Sequence, residues 1–280
     1  MDSNLKDQLN FYTEFKDWFF QITHDFKFDY KKEYEARDYL SRIFSKKDQN
    51  WKLNSVLNLF KERILSKTTI LIYGCGPSLE NTINLILKKK GVNFFENFIN
   101  LAADGASILL RERGIQIDAI FTDLDGITKN EFHYASFNIV HAHGDNIEKL
   151  KFFEDEILKF ENVIGTTQIE PVRSLINPGG FTDGDRILYF LRTLLSPFHK
   201  LFLIGMDFGS VLGKYSKLDT KKNQEASLIK QKKLQYAKKL LKWLKNKIQN
   251  DLYFVNSETI IKDFINLSIE EFLNIFHPQF

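Results

Sequence analysis

The spacing of apolar positions divides the chain into two textures. Leu9, Phe11, Phe15, Trp18, Phe19 and Ile22, then Leu53, Val56, Leu57 and Phe60 after a polar break, recur at helical intervals. Residues 1 to about 66 contain neither glycine nor proline. The pattern predicts an all-helical amino-terminal region. From Thr69 onward, short β-branched or apolar runs end in Gly/Asp-rich turns and lead into helical patterns. TILIYG (69–74), FINLAADG (98–105), IDAIFTDLDG (117–126), FNIVHAHGDN (137–146) and KLFLIGMDFG (200–209) are the runs. Helices are predicted around Leu79–Leu87, Ser107–Arg113, Ile187–Leu195 and Ser227–Ile248. Strands alternating with helices predict an α/β, Rossmann-like fold, a mostly parallel sheet with helices on both faces. The chain thus divides into a helical region, 1–66, and an α/β catalytic domain, 67–280. Parallel sheets bind ligands at the carboxyl ends of their strands, and every Gly/Asp cluster above falls at such an end.

Composition narrows the class. Across 280 residues, 43% are hydrophobic and 27% charged, a globular balance. One cysteine, Cys75, excludes a disulfide framework and a cysteine-based zinc site. The charged start MDSNLKDQLNFY does not read as a signal peptide, and no run approaches the length of a membrane helix. A cytoplasmic protein is expected. The 39 Lys and Arg against 36 Asp and Glu leave a net charge of +3, too balanced to imply nucleic acid. Eight lysines lie between Lys230 and Lys247, opposite an apolar stripe of Leu234, Ala237, Leu241, Leu244 and Ile248. They read as the solvated face of an amphipathic helix, and a nucleic-acid groove as the lesser alternative.

The turns carry the chemistry. In GCGPSLE (74–80), Gly74 and Gly76 permit a tight turn, and Ser78 adds a hydroxyl at a helix amino end, an expected anion site. The run is neither a Walker A loop nor a complete dinucleotide fingerprint. Cys75 reads as small filler. Asp104 in ADGA caps a helix or faces a ligand. Asp123 and Asp125 in TDLDG stand two apart, so an extended backbone would turn both carboxylates to one side, where magnesium with phosphate oxygens relieves their repulsion. HAHGDN offers His141 and His143, read as structural or ligand-bonding rather than zinc ligands, with Asp145 and Asn146 suited to magnesium or a polar ligand. GTTQ (165–168) and NPGGFTDGDR (177–186) follow, the latter placing Thr182, Asp183 and Asp185 before a helix. GMDFG (205–209) and GKYS (213–216) add Asp207 and Lys214.

Together these motifs, from Gly74 to Ser216, resemble the archaeal 6-hydroxymethyl-7,8-dihydropterin pyrophosphokinase family. HAHGDN and GGFTDGDR are its specific signatures, and the ADG and DLD runs are also similar to the core of thiamine pyrophosphokinases. The resemblance implies magnesium-dependent transfer of pyrophosphate from ATP to a dihydropterin alcohol, in tetrahydromethanopterin or folate-type biosynthesis. On that footing Asp123, Asp125 and Asp145 would hold the metal, with Asp104 nearby. Gly74, Gly76 and Ser78 would meet the nucleotide, and Lys214 would offset phosphate charge. Asn146, Thr182, Asp183 and Asp185 would serve the pterin or support the site. A flagellin-modifying motility accessory family shares parts of this core, so a nucleotide-sugar glycosyltransferase is the alternative. The helical first 66 residues carry no assigned role.

Overall fold

The computed structural model describes residues 4–258 and 260–276. Four helices come first: α1 (Leu5–Gln8), α2 (Tyr12–Phe26), α3 (Tyr30–Ser45) and α4 (Leu53–Leu65). The alternating part runs β1 (Thr69–Tyr73), α5 (Leu79–Lys90), β2 (Ile99–Ala103), α6 (Ala106–Glu112), β3 (Ala119–Thr122) and α7 (Lys129–Tyr134). It continues through β4 (Phe137–Ala142), α8 (Ile147–Phe152), α9 (Glu154–Lys159), β5 (Val163–Thr167), β6 (Leu175–Ile176), α10 (Asp183–Leu191) and β7 (Lys200–Ile204). A small ribbon, β8 (Val211–Leu212) and β9 (Gln224–Glu225), precedes α11 (Leu228–Lys245), β10 (Leu252–Val255), β11 (Ile265–Leu267) and α12 (Ile269–Asn274).

The main sheet has nine strands in the order β11-β10-β7-β1-β2-β3-β4-β5-β6, and every adjacent pair is parallel. Side chains alternate between two cores, as the pleat requires. Ile70 and Ile72 of β1 and Leu201 and Leu203 of β7 join one core with residues of α1, α2, α4, α10 and α11. Leu71, Tyr73, Phe202 and Ile204 join the other with α3, α5, α6, α7, α8, α9 and α12. The amino-terminal helices therefore lie on both faces and share the sheet's cores. Arg63 of α4 adds an ion pair, its Nε 2.5 Å from Asp118, whose second oxygen accepts the Asn100 N–H. Among the described residues no helix is long and apolar enough to cross a membrane.

Some elements differ from the sequence expectation. Helix α10 begins at Asp183, four residues before Ile187, so Asp183 and Asp185 lie in its first turn. Strands β10 and β11 at one end of the sheet, and β5 and β6 at the other, were not among the expected runs.

Candidate active site

The carboxyl ends of β2 and β3 meet in a cluster of acids, with the end of β4 beside it. Carboxylate oxygens of Asp104, Asp123 and Asp125 lie within 4.8 Å of one another. The pair in TDLDG converges for a reason other than strand geometry. Strand β3 ends at Thr122, and Leu124 adopts a left-handed conformation (φ 71°) with its side chain fully buried, folding the run into a turn. The Asp125 N–H points back at Asp123 Oδ1, 3.3 Å away. Asp104 is likewise left-handed (φ 43°), and its Oδ1 accepts the Thr122 hydroxyl at 2.6 Å. Two non-glycine residues held at positive φ beside one cluster mark a site where the surroundings impose the geometry. Gly126 must be glycine, because a Cβ there would run into the Asp104 carboxylate.

The charges are unbalanced. Burial, then Asp123, Asp183 and Asp125, push the Asp104 carboxyl well above the usual carboxylate range. Desolvation followed by Asp123 raises Asp125 to about 6 and Asp183 to about 7. Asp123 is the exception. Burial opposes its charge, but the hydrogen bond and positive field of His143 hold it below the ordinary value. His143 Nε2 is 3.1 Å from Asp123 Oδ2, and against the pull of burial this partner raises the imidazole. Buried His141, by contrast, is held neutral by desolvation and Arg186, its Nδ1 3.0 Å from the Thr166 hydroxyl.

Asn146 ties the loops together. Its Nδ2 donates to the carbonyls of Asp123 (2.8 Å) and His141 (2.6 Å), and its Oδ1 accepts from the His143 N–H. The whole amide is engaged by backbone, which makes it scaffold. Asp145 is exposed at the rim, outside the trio. At the start of α10, Asp183 pairs with Arg186 at 3.1 Å. Asp185 turns inward, and its Oδ1 accepts the Phe181 and Thr182 N–H groups, closing the amino end of the helix.

The first loop differs from the expected anion site. Asp207, after β7, accepts both the Ser78 N–H (2.9 Å) and the Ser78 hydroxyl (2.6 Å). A carboxylate of the chain thus occupies the position read as a phosphate site. A Cβ at Gly76 would strike Asp207 and the Gly205 carbonyl, so this glycine permits loop-on-loop packing. Gly74 packs in the same way against Gly205 and Met206. Lys214 is held by Glu80 at 3.1 Å. Cys75 gives its thiol hydrogen to the Ala103 carbonyl, and burial pushes that thiol far up, leaving it inert.

Two groups escaped the sequence reading. Glu33 of α3 is buried beside Gly144 and accepts from Gln168 Nε2 at 2.8 Å; burial raises its carboxyl. The helical region thereby contributes to the wall of the site. Lys233 of α11 lies over the rings of Phe28 and Phe181, within the field of Asp123, Asp145 and Asp183. Neither residue stands in a motif, and each reaches the site only through tertiary packing.

Residues 41–211 match the family model described as 6-hydroxymethylpterin diphosphokinase MptE-like. A 6-hydroxymethyl-7,8-dihydropterin pyrophosphokinase of Pyrococcus furiosus is 35% identical over 235 residues, covering 83% of this chain and 94% of the relative. One from Methanocaldococcus jannaschii is 36% identical over 248 residues, covering 84% and 98%, and one from Methanothermobacter thermautotrophicus 32% over 231 residues, covering 81% and 92%. Among solved structures, the MAf glycosyltransferase from Magnetospirillum magneticum AMB-1 superposes with a TM-score of 0.40 at 16% identity, over 72% of this chain and 34% of that one, too loose a likeness to bear on function. The family match spans more than half of the chain and all of the acidic loops, and the chain belongs to the 6-hydroxymethylpterin diphosphokinase MptE-like family.

Proposed function

We propose that the protein is a magnesium-dependent 6-hydroxymethyl-7,8-dihydropterin pyrophosphokinase that uses ATP and releases AMP. The observation that carries this reading is the trio Asp104, Asp123 and Asp125, its oxygens within 4.8 Å at the end of a parallel sheet. An all-oxygen, all-anionic donor set suits a hard divalent cation shared with phosphate oxygens. The crowding supports the same fit, since desolvation and mutual repulsion raise the carboxyls of Asp104 and Asp125, a cost that a bound cation would relieve. The trio would hold the metal, and Asp145, outside it, is left as a rim carboxylate. Magnesium, when bound, would draw in the triphosphate oxygens and offset their charge.

The chain's own residues then position the reactants. Asn146 fixes the Asp123 backbone against the His141–His143 loop. Arg186 orients Asp183, and Asp185 secures the turn that presents it. The hydroxymethyl oxygen of the pterin forms a bond to the β-phosphorus as the bond from that phosphorus to the oxygen bridging to the α-phosphorus breaks. AMP leaves with that electron pair. Asp183, held by Arg186 at the amino end of α10, would accept the hydroxyl proton. We place the reaction in cytoplasmic tetrahydromethanopterin or folate-type biosynthesis. Incubation with ATP, magnesium and 6-hydroxymethyl-7,8-dihydropterin tests the reading. Pterin diphosphate and AMP in equal amounts are expected; pterin monophosphate with ADP would contradict it.

A further inference from the structure

The lysine-rich face of α11 is not uniform. Lys232 is tied to Asp25 (3.4 Å) and Lys242 to Asp263 (2.6 Å), while Lys245 donates to the Asp263 carbonyl. Lys239 and Lys247 rest on the rings of Tyr236 and Trp243. These five face outward and are accounted for by local partners.

Lys233 differs. It is half-buried, and its ammonium makes no hydrogen bond or ion pair among the described residues. Two aromatic rings flank it, with Nζ 5.6 Å from the centre of Phe28 and 5.9 Å from that of Phe181. Phe181 belongs to the GGFTDGDR loop and Phe28 to the amino-terminal helical region, so the stem of Lys233 is fixed by two separate parts of the chain. A long stem packed on rings with a free ammonium is a costly arrangement unless an anion arrives. The ammonium stands within the fields of Asp123, Asp145 and Asp183, and burial together with Lys230 lowers its proton affinity. Lys230 lies one turn earlier on the same helix face, and its charge reaches Cys75 in the first glycine loop. Two cations one turn apart thus border the acid cluster and the loop beside it.

We infer that Lys233, assisted by Lys230, forms the cationic wall that receives the phosphates of the nucleotide. This assignment rests on the pyrophosphokinase reading. It also fills a gap in the site, because Lys214 is paired with Glu80 and the Ser78 N–H and hydroxyl are taken by Asp207. Lysine suits the task as a point charge that several phosphate oxygens can share.

The test compares nucleotide binding by the full chain and its variants, using calorimetry with magnesium and a non-hydrolysable ATP analogue. Lys233→Met keeps the stem on the two rings and removes the charge. It should weaken analogue binding at least about tenfold while shifting AMP binding less than about threefold, since AMP lacks the phosphates concerned. Lys233→Arg should recover most of the loss, and Lys239→Met, on the outer face, should bind as the parent does. A wall lysine also predicts that the salt dependence of analogue binding becomes shallower in Lys233→Met. Should that variant fail to fold, Lys233→Gln carries the same comparison. Equal analogue affinity in the parent and a folded Lys233 variant would overturn the assignment alone. A folded parent that binds neither the analogue nor ATP would overturn the pyrophosphokinase reading instead.

Discussion

His143 Nε2 stands 3.1 Å from Asp123 Oδ2, the one close counter-charge to that carboxylate among the described residues. The imidazole reaches it from β4 because Asn146 pins both loops. Replacing His143 by Ala leaves Asp123 facing Asp104, Asp125 and Asp183 without compensation. The variant should lose about 1–3 kcal/mol of stability in chelator. Saturating magnesium should restore more of this loss than it adds to the parent. Melting temperatures with and without magnesium decide the point, and an unchanged melting temperature in chelator would remove His143 from this role.

Loss of any one carboxylate of the trio should separate activity from stability. Asp104→Asn, Asp123→Asn and Asp125→Asn should each lower turnover at least roughly a hundredfold, about 2.7 kcal/mol of barrier. Without metal, Asp104→Asn and Asp125→Asn should melt at or above the parent's temperature, because like charges no longer crowd. Turnover and melting measured on the same samples check both halves. Near-normal turnover in one variant would exclude that residue from the metal site.

Asp185 predicts a pH dependence with a definite sign. The carboxyl is fully buried, its Oδ2 has no hydrogen-bond partner among the described residues, and burial pushes its value up to about 7. A carboxyl raised on folding contributes stability that is complete below its unfolded value near 4 and is lost as pH rises through 7. Between pH 5 and 8 this single group should cost roughly 2–3 kcal/mol. In Asp185→Asn, whose Oδ1 still accepts the Phe181 and Thr182 N–H groups, that slope should flatten. Denaturant titrations across this range measure it, and an unaltered slope would assign the titration elsewhere.

Asp207 tests whether the first loop is closed by the chain's own carboxylate. If its carboxylate closes the turn at Ser78, Asp207→Ala strands a buried N–H and hydroxyl and should cost about 2–4 kcal/mol. Nucleotide affinity of the folded fraction should change less than about threefold. A large loss of ATP affinity with unchanged stability would return this loop to the phosphates.

The strands and their Gly/Asp turns were legible because buried parallel strands are short apolar runs that end where the chain must reverse. Asp123 and Asp125 were legible as a pair, though the sequence pointed to an extended backbone and the structure uses a left-handed Leu124. That Asp104, and not Asp145, completes the trio depends on how β2 and β3 align, and spacing within one motif carries no such information. Ser78 and Asp207 lie 129 residues apart, so the occupied helix end was invisible. Lys233 reads like any of eight lysines on an amphipathic helix until Phe28 and Phe181 close around it. Glu33 is equally plain in sequence, and only the packing of α3 against β4 and β5 buries it.

The most direct test of the central claim follows the β-phosphorus of ATP. With ATP labelled at that position, magnesium and 6-hydroxymethyl-7,8-dihydropterin, the label should appear in the pterin product in step with unlabelled AMP. Label retained in ADP, or a folded protein that binds both substrates and leaves the label in ATP, would contradict pyrophosphoryl transfer.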